Sequence, residues 1–203
     1  MPCAFATAEN MLHRAKVCEK DHVVVPGASG GVGLAVVLLA MRRGAKVSAI
    51  CGKSKVHLLK KIILSQNNNS SSRVFSGRPR SSEWIELCKT LKKEGDVSVV
   101  VDNVGGDGFR DLLDLIATHG RYVTSGAIAG PVVSLDLRTL YLRDLTLIGS
   151  TAWDSCVFPN LVRYIENNEI KPVVHQVFKL SEIIKAQKEF VKKKHVGKIV
   201  LVP

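Results

Sequence analysis

Residues 23–50 read VVVPGASGGVGLAVVLLAMRRGAKVSAI. Val23-Val24-Val25 is a β-branched run without polar alternation, as expected of a strand covered on both faces in a parallel sheet. Pro26 and Gly27 end it. Gly27, Gly30 and Gly33 then recur every three residues, and Ala28, Gly30 and Gly33 fill the places of a GxGxxG turn whose first glycine is replaced. An apolar helix follows from about Val32 to Arg43 and stops at Gly44, and Lys46 to Ile50 reads as a second strand. The whole is a βαβ unit opening on a glycine turn. A dinucleotide pyrophosphate needs small residues at such a turn. A side chain at Gly30 would stand between backbone and phosphate, while Gly33 lets the helix close on the strand. The unpaired N–H groups and the dipole of the helix start then favour the negative charge.

Outward from this unit the alternation continues. A first helix is expected over 3–17, and further helices over 54–64, 82–93, 108–118, 135–142, 158–167 and 182–193. Strands are expected over 97–101, 121–124, 145–148, 173–178 and 198–202, with a short one at Arg73-Val74-Phe75 inside the polar stretch 65–80. This order predicts an α/β fold, a doubly wound parallel sheet of Rossmann type with helices on both faces. The expected organisation is a connecting helix over 1–20 and a dinucleotide-binding domain over 21–203. That domain carries a polar loop insertion at 65–80 and a C-terminal return strand at 198–202.

With 203 residues and 46% apolar content, the chain has material for a full core, which excludes a disulfide miniprotein, a coiled coil and a disordered tail. The longest apolar run, Val32 to Met41, is too short to span a membrane, and no signal-peptide pattern opens the sequence. Cys3, Cys18, Cys51, Cys88 and Cys156 are odd in number and widely spaced. They offer neither a disulfide framework nor a zinc pattern, so a reducing, cytoplasmic location is expected. The net charge of +11 stands without an aromatic platform or a recognition-helix motif, which argues against nucleic acid as the partner.

The charge is unevenly placed. From His22 to Ser82 there is no acidic residue and there are ten cations: Arg42, Arg43, Lys46, Lys53, Lys55, Lys60, Lys61, Arg73, Arg78 and Arg80. The end of the second strand, where an acid would bind an unphosphorylated adenosine ribose, holds Cys51-Gly52-Lys53. A 2′-phosphate is attracted by such a rim, so NADP(H) is expected over NAD(H), with Lys53 as the principal contact.

The chain resembles the C-terminal, nucleotide-binding part of the medium-chain dehydrogenase/reductase superfamily, on its quinone oxidoreductase and alcohol dehydrogenase-like side. The resemblance rests on PGASGGVG at 26–33, VVVDNVGG at 99–106, GRYVTSGAIAGP at 120–131, DLRTLYLRDLTLIGS at 136–150 and HVGKIVLVP at 195–203. It implies cofactor roles for Ser29, Gly30, Gly31, Val32 and Gly33 around the pyrophosphate, and for Cys51 and Lys53 at the adenosine ribose. Asn103 and Val104 would line the groove, with Ser125, Gly126, Ala127 and Gly149 towards the nicotinamide. It further implies a missing N-terminal catalytic domain, the family's usual compact, apolar third strand replaced by the polar stretch, and a homodimer through the edge strand 145–148.

The expected activity is that of an NADPH-dependent oxidoreductase, passing a hydride to a carbonyl, enone or quinone and incomplete in this chain. If active, it would be a quinone oxidoreductase or an alcohol dehydrogenase-like reductase. The alternatives are a non-catalytic NADP(H)-binding module and a truncated inactive product. No catalytic residue, metal ligand or zinc is assigned: Tyr122, Tyr141 and Tyr164 read as packing residues, and His119 and His195 lie at element ends.

Overall fold

A computed structural model of the chain describes residues 2–66 and 71–203. The elements run α1 (Pro2–Arg14), β1 (His22–Val25), α2 (Gly31–Arg42), β2 (Lys46–Cys51), α3 (Val56–Leu64), β3 (Arg73–Ser76), α4 (Ser82–Glu94), β4 (Val99–Asp102), α5 (Phe109–Leu115), β5 (Arg121–Thr124), α6 (Leu137–Tyr141), β6 (Thr146–Gly149), α7 (Val157–Glu166), β7 (Val174–Lys179), α8 (Ile183–Val191) and β8 (Lys198–Val202). Six strands form one parallel sheet in the order β3-β2-β1-β4-β5-β6. The order reverses between β1 and β4, the position at which doubly wound sheets open a crevice for ligands. β7 and β8 form a separate parallel pair.

Strand periodicity divides the core between the two faces of the sheet. Val23, Val25, Val47, Ala49, Val99, Val101 and Val123 pack with α1, α2 and α3, whereas Val24, Ile50, Val100 and Tyr122 pack with α4 and α5. α2 is buried along nearly its whole length, because α1 covers its outer side with residues such as Phe5, Met11 and Leu12. Ser81 caps α4 by accepting from the N–H of Trp84 at 3.2 Å, and Gly95 closes the helix in the left-handed conformation.

The short strand expected at Arg73-Val74-Phe75 is observed as β3, inside the polar stretch. β3 lies inside 65–80 and pairs with β2 from Ser48↔Arg73 to Cys51↔Ser76. Only Val74 of β3 is buried, so an edge strand of this kind needs little apolar sequence. Residues 67–70, also within the expected insertion, lie outside the described residues. The strand expected at 145–148 is observed one residue later as β6, on the outer edge of the sheet and largely exposed.

Candidate functional site

The glycine turn joins the carboxyl end of β1 to the start of α2. Gly27 has φ +65°, and its carbonyl accepts from the N–H of Gly30 at 2.9 Å. A β-carbon on Gly33 would meet that carbonyl oxygen at 2.3 Å, so the turn and the helix are in contact through this residue. The N–H of Leu34 is the first in α2 to find a backbone acceptor, Gly30 O. The N–H groups of Gly31, Val32 and Gly33 have none among the described residues and remain at a positive helix end. The Lys198 ammonium, on the last strand, stands above this end, 2.7 Å from where a Gly31 β-carbon would be. Gly30 and Gly31 are exposed, Ser29 and Val32 half-buried and Gly33 buried.

Two adjoining cavities continue from the turn. The first, of about 180 Å³, brings together Ser29, Cys51 and Val104 with Gly27, Gly52, Gly77, Arg78, Trp84 and Leu112. It is mostly apolar, as small-molecule sites generally are. Burial pushes the Cys51 thiol above its ordinary pKa, so Cys51 contributes a neutral wall. The second cavity, of about 340 Å³, holds Lys53, Ser54, Ser76, Arg78, Ser81 and Glu83.

The charge around this cavity is smaller than the count along the sequence implies. Arg42 pairs with Glu169, Arg43 with Glu9, Lys46 with Asp96, Arg73 with Glu94 and Arg80 with Asp107. Lys53, 86% exposed, lies 3.7 Å from Glu83. What remains at the rim is Lys53 and Arg78, with Glu83 beside them. The acid-free interval ends one residue before this carboxylate.

The loops after β4 and β5 form a second group. The buried Asp102 carboxylate accepts from Val104 N–H at 2.6 Å, Gly105 N–H at 3.2 Å and the Tyr122 hydroxyl at 2.5 Å, clamping the loop from below. Burial and the adjacent carboxylate raise the Tyr122 phenol pKa, so it remains a donor. Asn103 Oδ1 accepts from Ser125 Oγ at 2.7 Å, tying the two loops together, and Gly126 lies over Asn103. Ala127 packs against Gly105, whose φ of +63° and tight surroundings exclude a side chain. Gly149 is the register partner of Thr124 and lies outside both cavities.

The fold and the topology of these loops are those of known dehydrogenases. A profile of the family described as zinc-binding dehydrogenase matches residues 74–201, more than half of the chain. The chain belongs to the zinc-binding dehydrogenases. It corresponds to the nucleotide-binding region of larger members of the medium-chain dehydrogenase/reductase superfamily. It is 30% identical over 213 residues to the quinone oxidoreductase-like protein 2 of Bos taurus, covering 99% of this chain and 58% of that protein. It is 32% identical to the acryloyl-coenzyme A reductase of Metallosphaera sedula, over 99% of this chain and 56% of that one. A solved structure from Sinorhizobium meliloti 1021, provisionally described as an alcohol dehydrogenase, superposes with TM-score 0.86 at 42% identity, covering 100% of this chain and 54% of its own. The chain thus spans a little over half the length of the relatives it matches.

Within this zinc-binding dehydrogenase chain, one group of three metal-ligating side chains is found among the described residues: His22, Glu94 and Asp96. It sits at the amino end of the sheet, opposite the glycine turn. Lys46 lies 2.7 Å from Asp96, Arg73 pairs with Glu94, and the His22 imidazole bonds Asp96 at 2.6 Å. These donors are already balanced by cations and do not fit a zinc site. The residues lining the two cavities that sequence reading missed include Gly77, Ser81, Glu83, Trp84 and Leu112. Lys198 was also missed, although it lies inside the HVGK run that carried the resemblance. Arg78 appeared there only as one cation among ten.

Proposed function

We propose that the chain is the NADP(H)-binding part of a reductase that delivers a hydride to a carbonyl, enone or quinone carbon. The observation that carries this reading is the continuity of the glycine turn, the Lys198 ammonium and the two cavities along the carboxyl ends of β1 to β4. The residues fit the group. The pyrophosphate would lie against the Gly31, Val32 and Gly33 amides and Lys198. Adenine would enter the cavity lined by Cys51, Val104 and Trp84, and the 2′-phosphate would face Lys53, Ser54 and Arg78. When bound, the cofactor supplies the hydride. The chain orients it: Asn103 and Ser125 fix the loop pair beside the nicotinamide, Ala127 and Gly149 border it, and Asp102 holds the first loop in place. A homodimer through the exposed edge of β6 and a small-molecule substrate complete the proposal.

A non-catalytic NADP(H)-binding module is the second reading. It is favoured by two phenols being committed to the core, Tyr122 on Asp102 and Tyr164 on Glu9 at 3.2 Å. Titration with NADPH and NADH, followed by turnover on quinones and enones, separates the readings. Binding with turnover supports the reductase, binding without turnover supports the module, and stabilisation by neither cofactor overturns both. Among the described residues no helix is long and apolar enough to cross a membrane.

A further inference from the structure

We propose that Glu83 sets the cofactor discrimination of this site, restraining its preference for a 2′-phosphate by holding a carboxylate where that phosphate binds. This rests on the cofactor reading above and goes beyond it in naming the residue that determines specificity. The end of β2 carries no acid, and Lys53 stands there instead. The fold returns an acid to the place by another route. β3 pairs beside β2 with Cys51 opposite Ser76, so the chain enters α4 at the same end of the sheet as Lys53. Glu83, in the first turn of α4, thereby comes to line one cavity with Lys53, Ser54, Arg78 and Ser81, its Oε1 3.7 Å from the Lys53 ammonium.

Three properties make this carboxylate a determinant of specificity. It stays ionised: its own backbone N–H, the Ser82 hydroxyl and Lys53 hold it below the ordinary glutamate pKa. It occupies the cation that the phosphate needs. A 2′-phosphate carrying a charge of about −1.5 to −2 must draw Lys53 away from Glu83 and then stand beside a negative group. It also offers an acceptor to an unphosphorylated ribose, whose 2′-hydroxyl can donate to it. Glu83 therefore weakens the phosphorylated ligand and supports the other, narrowing the gap between them. As a stabilising ion pair it matters little, because both partners are well exposed, Lys53 86% and Glu83 43% at the side chain. Replacing the carboxylate by its amide leaves the Ser81 cap in place.

The test uses the full 203-residue chain and a matched pair of probes, adenosine 2′,5′-bisphosphate and adenosine 5′-monophosphate, titrated calorimetrically into wild type, Glu83→Gln and Glu83→Lys. Removing one unit charge from the rim of a half-exposed anion site is expected to tighten the bisphosphate about tenfold in Glu83→Gln, and further in Glu83→Lys, while the monophosphate is unchanged or weakened. Equal shifts for both probes would mean that Glu83 only supports α4, and would overturn the inference. Unchanged affinities for both would overturn it too, while leaving the cofactor reading intact. If neither probe bound any of the three proteins, that reading would fall together with the inference.

Discussion

The two ends of the parallel sheet are built on opposite principles. At the amino end, side chains satisfy one another. Asp21 accepts from Cys18 N–H at 2.8 Å and from Ser98 Oγ at 2.7 Å, and it pairs with Arg121, whose guanidinium also donates to the Ala15 carbonyl at 2.6 Å. His22 bridges Asp96 and Ser48, at 2.6 and 2.8 Å. At the carboxyl end, glycine replaces side chains, and the N–H groups of Gly31 to Gly33 have no backbone partner among the described residues. One end is closed by its own polar groups, and the other leaves the first N–H groups of α2 open. Some side chains pair at the open end as well: Asp102 holds the loop after β4 in shape, Asn103 accepts from Ser125, and Asn10 donates to the buried Ser150 beyond β6.

The largest effect should come from spoiling the open end. Gly33→Ala forces a β-carbon against the Gly27 carbonyl and should cost more than about 3 kcal/mol, with loss of nucleotide binding, read as urea midpoint and NADPH titration. At the closed end, Arg121→Met leaves the buried Asp21 short of a cation. A loss of about 2–3 kcal/mol is expected, at the lower side for a broken buried pair because Arg121 is partly exposed, and cofactor affinity should not change. If affinity fell in parallel, the two ends would not be independent. Tyr122→Phe removes a donor from Asp102 and should cost about 1–2 kcal/mol in chemical denaturation, together with weaker nucleotide binding through the slackened loop. Lys198→Met should weaken NADPH about tenfold, near 1.4 kcal/mol, without moving the denaturation midpoint, which would be the sharpest contrast with Arg121→Met.

The smallest effect is a pH dependence. Burial lowers the His22 pKa below its ordinary value, outweighing the opposing pull of Asp96. The unfolded chain therefore takes up its proton first, near pH 6.5. This group's contribution is present above that pH and is lost as pH falls through it. Urea midpoints at pH 7.5 and 5.5 should show the drop in wild type and a smaller one in His22→Gln. Equal drops in the two proteins would place the pH dependence elsewhere.

The sheet was legible because its central strands are continuous β-branched runs, Val23–Val25 and Val99–Val101, and because the glycine turn marks where they meet a helix. β3 was harder to read: with one buried residue, an edge strand leaves almost no periodic trace. The cation count misled for a different physical reason. Arg42 and Arg43 find carboxylates at Glu169 and Glu9, far away in sequence, so charge excess along an interval is not electrostatic potential around a pocket. Glu83 and Lys198 were illegible as site residues because each enters the site by topology, one through the β2–β3 pairing and the other through the final strand.

That last pair of strands has a consequence for the order of assembly. Gly31 and Lys198 are far apart in sequence, so the ammonium reaches the start of α2 only once β8 has paired with β7. The six-stranded sheet does not include that pair. A folding intermediate holding the sheet without β7 and β8 would carry the glycine turn but lack the cation above it.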